Sequence, residues 1–188
     1  MSKLLGLPAW AYAAALSQLD GMTPKKLRIA LLHEDPEEAW ARSICDSVIT
    51  DETVARIYEC CEQENIEVVY IGDPKYPQTL RYDPTPPAVL FYRGSLGALQ
   101  QRRIGIVGTR SPTPSGVYTA REFGEQLAAN EIAVVSGLAR GIDGAVHHGM
   151  KLHYDEHPQT EDGAFGKPIG VVACGLDVVY PKSNAGLW

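Results

Sequence analysis

The first third of the chain reads in helical period. Residues 8–19 are Ala-rich and apolar almost throughout, and Gly21 stops the run, which predicts a short helix. Thr23-Pro24 predicts a cap with proline at the first helical position, opening a helix over residues 25–32. Asp35-Pro36-Glu37-Glu38 repeats the device, with a Glu three residues after the Asp. Val54, Ile57, Tyr58 and Cys61 fall at i, i+3, i+4 and i+7, so a fourth helix is predicted from about residue 51 to 63 with those four as its buried stripe. Asn65 suits the end of that helix, and Cys61 is most simply a core residue.

From residue 66 the pattern changes to short continuous apolar runs. Ile66-Glu67-Val68-Val69-Tyr70-Ile71 predicts a strand. Residues 73–87, rich in proline and tyrosine, predict an ordered connector. Further runs at 88–92, 103–107, 132–135 and 169–173 alternate with helical patterns at about 115–130 and 142–152. Apolar strands alternating with helices predict a parallel sheet covered on both faces. Residues 153–167 are polar, with Asp155, Glu156, Glu161 and Asp162, and read as a surface loop. The fold class is therefore α/β: a small helical domain over residues 1–64, then a parallel-sheet domain over 65–188.

Composition excludes more than it identifies. With 45% hydrophobic and 21% charged residues the chain is globular, and no apolar run approaches the roughly 18 residues a membrane helix requires. Residues 1–8 lack the long apolar region and cleavage site of a signal peptide. Cys45, Cys60, Cys61 and Cys174 have no C-x-x-C spacing, so a zinc ribbon or redox pair is not readable, and a reduced, soluble, cytoplasmic protein without a membrane partner is expected. The net charge of −6 argues against wholesale coating of DNA. That charge is uneven. Residues 33–67 hold eleven acids against Arg42 and Arg56, whereas no acid stands between Asp83 and Glu122 and five arginines do, at 93, 102, 103, 110 and 121. The middle of the chain can bind an anion although the whole cannot; a solvated charged face is the plainer alternative.

In a parallel sheet, ligands bind at the carboxyl ends of strands. Three such ends are visible, at 107–113, 135–143 and 174–177. Glycines in these loops let the backbone approach a ligand, hydroxyls and N–H groups at a helix start suit phosphate, and Arg110 and Arg140 lie in neighbouring loops on the same side. Tight packing of the fold is the plainer explanation of the glycines. No phosphate-loop or dinucleotide fingerprint is present, so no cofactor is expected. Ser136 lacks a G-x-S-x-G setting, and the histidines at 147, 148, 153 and 157 lack metal-ligand spacing; no catalytic or metal-binding residue is assigned. Asp143 reads as a helix cap or dipole partner, and Asp177 and Asn184 as residues that order a loop.

Taken together, the loops resemble the DNA-processing protein A (DprA/Smf) family. The matching stretches are Asp73-x-x-Tyr76-Pro77-x-x-Leu80, Pro87-Ala88-Val89-Leu90-Phe91-x-Arg93-Gly94 and Ile106-Val107-Gly108-Thr109-Arg110. They continue with Ser136-Gly137-Leu138-Ala139-Arg140-Gly141-Ile142-Asp143 with His147, and Gly175-Leu176-Asp177-x-x-Tyr180-Pro181-x-x-Asn184. Leu19-Asp20-Gly21-Met22-Thr23-Pro24 resembles, more weakly, the helix-hairpin-helix-like SAM portion of that family. The resemblance implies an extended Rossmann-like domain over 65–188, and a single-stranded DNA binder that is not an enzyme, protecting incoming strands and loading the RecA recombinase in natural transformation. It implies DNA contacts at Gly108, Thr109, Arg110, Ser136, Gly137 and Arg140. The chain departs from the family at Pro114-Ser115-Gly116, where many relatives carry an aromatic, and in its longer 153–167 loop. Two alternatives are a pure interaction module docking through the acidic 33–67 segment, and a nucleotide-processing enzyme of the LOG type, whose P-G-G-x-G-T-x-x-E string is missing. The family pattern also implies a domain cut short at Trp188, with the RecA-contacting and homodimer surfaces beyond it. A half sheet bares an apolar edge, so the chain is expected to self-associate; a clean monomer by light scattering counts against this.

Overall fold

A computed structural model describes residues 6–44, 50–157 and 165–188. By compactness it divides into two units, Met1–Gly94 and Ser95–Trp188.

In the first unit, helix α1 (Ala9–Leu16) has every residue from Ala11 to Leu16 buried. A helix apolar all round has to be surrounded. Its neighbours are α3 (Pro36–Ser43), α4 (Glu52–Gln63) and β1 (Glu67–Tyr70). Both expected caps are present. Thr23 accepts from the Lys26 N–H at the start of α2 (Pro24–His33), and Asp35 accepts from the Glu37 N–H at the start of α3. On α4, Val54 and Cys61 are buried, and Ile57 and Trp10 pack onto the cluster of Ala14, Cys61 and Val68. Burial pushes the Cys61 thiol up, as befits a core residue. Trp40 is buried with its Nε1–H donating to Asp51 Oδ1 at 3.0 Å, and Asn65 ends α4 with a left-handed φ of 52°.

One expectation fails here. The run at 88–92 is β2 (Val89–Tyr92), and it joins no parallel sheet: it pairs antiparallel with β1, Val68 beside Phe91 and Val69 beside Leu90. The connector between them holds only a four-residue helix, α5 (Gln78–Arg81). Asx turns at Asp73 and Asp83, and Tyr76, whose hydroxyl donates to the Pro87 carbonyl, fold it back on itself. Without a long crossover the second strand returns antiparallel. Val68 and Val89 both belong to the helical core, so the compact units part at Gly94/Ser95, while the boundary expected from sequence stood at 64/65.

In the second unit β3 (Arg103–Gly105), β4 (Ala133–Ser136) and β5 (Pro168–Gly170) form a parallel sheet in chain order. The crossovers are α6 (Pro114–Ala129) and α7 (Ile142–Glu156). Strands laid down in sequence put both right-handed crossovers on one face. Val134 of β4 accordingly packs against Ala128 of α6 and against Val146 and Met150 of α7. The opposite face carries the row Gly105–Val135–Ile169, and Val107 and Val171 just past the strands are 76% and 63% exposed. Cover on both faces was expected; within this unit the strand order gives cover on one. Helix α7 also runs past the expected end at residue 152, so His153 to Glu156 are helical. Residues 158–164, with Glu161 and Asp162 of the expected loop, lie outside the described residues, as do Cys45 and residues 1–5. Two 3-10 turns, Leu96–Gln100 and Lys182–Leu187, had no counterpart in the sequence pattern. Among the described residues no helix is long and apolar enough to cross a membrane.

Helices α6 and α7 meet backbone to backbone. A side chain at Gly124 of α6 would overlap the Val146 carbonyl, and one at Gly149 of α7 would overlap the Arg121 carbonyl. Gly124→Val is therefore expected to lower the stability of this unit by about 2–3 kcal/mol through overpacking, read from the urea midpoint. Gly186→Ala, where an added methyl meets open space, is expected to leave that midpoint in place.

Candidate functional site

A single carboxylate joins the two strand-to-helix loops of the second unit. Asp143, in the first turn of α7 and 5% exposed, accepts from the Gly108 N–H through Oδ1 and from the Gly137 N–H through Oδ2, each at 3.1 Å. Gly108 lies just past β3 and Gly137 just past β4, so the carboxylate clamps the ends of adjacent strands. Its place in the first turn also suits the helix dipole. The reading of Asp143 as a cap or dipole partner thus captured its position; its hydrogen bonds run to the two loops.

The rest of the loop after β4 is held as tightly. Gly141 opens α7 at a φ of +96°, a conformation that favours glycine, and a side chain there would overlap the Thr109 carbonyl. Asn184 Nδ2 donates to the carbonyls of Leu138 at 2.9 Å and Ala139 at 3.1 Å, so Asn184 does order a loop. Leu138 sits at φ 52°, a left-handed conformation that costs a side-chain-bearing residue about 1–2 kcal/mol.

Against these loops lies a cleft of about 390 Å³ whose polar lining is Arg110, Arg121, Arg140, His148, Ser183 and Asn184. Among the described residues no acid lines it. Among the same residues none of its three guanidinium groups has an ion-pair partner. Unpaired arginines converging in a concave site make a positive field and offer forked donors for anionic oxygens. Burial is the main reason that the His148 imidazole is held below its ordinary pKa, and Arg121 and Lys151 push it the same way. The neighbouring His147 is 3% exposed; burial lowers it to about 4, partly offset by Asp143, and its Nε2 has no partner among the described residues.

The six residues singled out from sequence divide cleanly. Arg110 and Arg140 line the cleft together. Gly108 and Gly137 give their N–H groups to Asp143, which leaves those donors engaged within the chain. Ser136 is buried, its Oγ accepting from the Leu138 N–H, and Thr109 is exposed with Oγ1 accepting from the Ser111 N–H. Arg121 and His148 were not singled out. The signal for them is helical spacing: Val117 with Arg121 on α6, and Gly144 with His148 on α7, are i, i+4 pairs that all line the cleft.

The order of these elements, the two glycine loops and the motifs they carry match a family model described as DNA recombination-mediator protein A, over residues 67–188. The chain belongs to that family. It is 32% identical over 200 residues to the Protein Smf of Synechocystis, covering 95% of this chain and 47% of that one. It is 35% identical over 133 residues to the DNA processing protein DprA of Bacillus subtilis, covering 70% of this chain and 41% of the relative. It therefore spans about half the length, or less, of these relatives. The X-ray structure of DNA processing protein A from Streptococcus pneumoniae superposes with a TM-score of 0.55 at 26% identity, over 97% of this chain and 59% of that one. A solved structure of DNA processing protein A from Helicobacter pylori, from a study of that protein's single-stranded DNA binding mode, gives 0.50 at 25% identity over 65% of this chain and 49% of that one. The match to the recombination-mediator family begins at residue 67, inside the first compact unit, so family membership and compactness divide this chain at different places.

Asp143→Ala removes the acceptor of both loop N–H groups and leaves them unpaired. The expected outcome is a loss of about 3 kcal/mol in unfolding free energy, with faster amide exchange at Gly108 and Gly137 by NMR. Unchanged exchange at both amides would rule out the clamp.

Proposed function

We propose that the cleft binds the sugar–phosphate backbone of single-stranded DNA, and that the protein is a recombination mediator that protects single strands and hands them to a RecA-type recombinase. The observation that carries this reading is the convergence of Arg110 and Arg140, without an ion-pair partner among the described residues, in one cleft that no described acid lines, in a chain whose overall charge is −6. Membership of the recombination-mediator family supports it, as does the single-stranded DNA binding of the Helicobacter pylori relative. Gly108, Thr109, Ser136 and Gly137 serve this site chiefly by shaping the loops that carry the two arginines, with Thr109 the one side chain of the four still exposed. A groove that grips phosphates and reads no base edges binds with little sequence preference.

In this reading the protein performs no turnover, residues 65–188 are the mediator module, and residues 1–64 are its helical SAM-like companion. Recombinase loading, homodimerisation and a part in natural transformation are assigned to the full-length protein, in a reducing cytoplasmic setting.

The test is fluorescence anisotropy of a labelled oligo-dT strand over a salt series, with a duplex of equal length as control. Binding is expected to weaken with salt. Arg110→Ala with Arg140→Ala is expected to lower affinity at least about tenfold and to flatten the log–log salt slope by about 1.4, the loss of two single-strand phosphate contacts. Binding that keeps its salt slope in the double variant overturns the assignment of these arginines.

A further inference from the structure

We propose that the cleft takes up a proton together with a phosphodiester, with Arg121 and His148 as a second pair of contacts and His148 as the proton acceptor. This rests on the single-strand reading above and adds a regulation to the same site.

The geometry is a cleft entered from two sides. Arg110 and Arg140 reach it from the loops at the strand ends, whereas Arg121 reaches it from α6 and His148 from α7. Two charged groups bear on the His148 ring and both are cationic, Arg121 from α6 and Lys151 further along α7, while Arg110 and Arg140 line the same cleft. Lys151 is itself paired to Asp155 at 2.7 Å, Ser183 and Asn184 are uncharged, and His147 beside it is buried and held neutral. With no anion present, burial and these two cations disfavour the imidazolium and hold the ring toward its neutral form.

A phosphate oxygen in the cleft reverses that balance. It offsets the guanidinium charges and rewards an imidazolium that can donate to it, so the pKa of His148 is higher in the bound than in the free protein. Linkage sets the sign. A group whose pKa rises on binding takes up a proton with the ligand. Affinity therefore increases as pH falls from the bound-state to the free-state pKa, by at most about tenfold per pH unit, and is flat above that window. Arginine and the phosphodiester do not titrate between about pH 5.5 and 8.5, so a site made of arginines alone would be flat throughout.

The experiment is the same anisotropy measurement, at constant ionic strength from about pH 5.5 to 8.5, with an oligo-dT strand of about 20 nucleotides. The NMR titration of the His148 imidazole, with and without that strand, accompanies it. The expected results are affinity rising toward acid, a His148 pKa that moves up on saturation, and loss of the pH dependence in His148→Gln while salt dependence remains. Arg121→Gln is expected to raise the free-state pKa of His148 and to weaken binding. Salt-dependent binding that is flat in pH, or an equal pH slope in His148→Gln, overturns the proton-coupled site and leaves the single-strand reading standing. Absence of binding at every pH overturns both.

Discussion

The Asp143 carboxylate is the constraint on which the site depends. Two backbone N–H groups from different loops share one buried side chain, and each bond is charge-assisted. The loops leave neighbouring parallel strands, which the β3–β4 ladder already fixes through Ile104 and Val134. The carboxylate then holds the backbone past the end of the ladder, where no strand pairing remains. Gly141 beneath the Thr109 carbonyl and Asn184 on the Leu138 and Ala139 carbonyls complete the clamp. Arg110 and Arg140, which stand thirty residues apart in the chain, share a cleft because of these contacts.

This division of labour separates the features legible in the sequence from those that were not. Caps, helices and strands are written in local patterns. Thr23 and Asp35 each act within a turn of themselves and took their expected places, and of the Val54–Cys61 stripe Val54 and Cys61 are buried while Ile57 and Tyr58 are half-buried. The antiparallel return of β2 depends on how residues 71–88 fold between two strands, and a hydrophobic run alone says nothing of direction. At the site, the arginines were legible because loop position suffices to aim them at the strand ends. The use of the Gly108 and Gly137 N–H groups was not, because their acceptor lies on a different element from Gly108. Arg121 and His148 needed the pitch of α6 and α7 together with the contact between those helices, which Gly124 and Gly149 set.

The charge distribution obeys the same logic. The acids of the first unit are partly spent within it: Glu34 pairs with Arg42, Glu64 with Arg93, and Glu67 accepts from the Tyr92 hydroxyl. Burial and that bond to Glu67 together push the Tyr92 phenol up to about 12, so it remains a donor under all ordinary conditions. The arginines of the cleft have no such partners among the described residues. A negative chain thus keeps a cleft whose own lining is positive, since a cleft senses most strongly the charges that line it.

Two features of the site run against stability taken alone. Three guanidinium groups share one cleft with no carboxylate among the described residues, and Leu138 is held in a left-handed backbone conformation. Neither is required by the core of Ala128, Val134, Val146 and Met150, which is wholly apolar and includes no residue of the cleft. The clamp of Asp143, Gly141 and Asn184 is what makes both tolerable, because it over-determines the loop that bears the strain. A self-contained fold would relieve such features by a glycine at position 138 or an acid among the arginines. Leu138, Arg110 and Arg140 stand in the loops at the strand ends and Arg121 on α6, so backbone strain and unpaired charge meet at one cleft that the apolar core does not need.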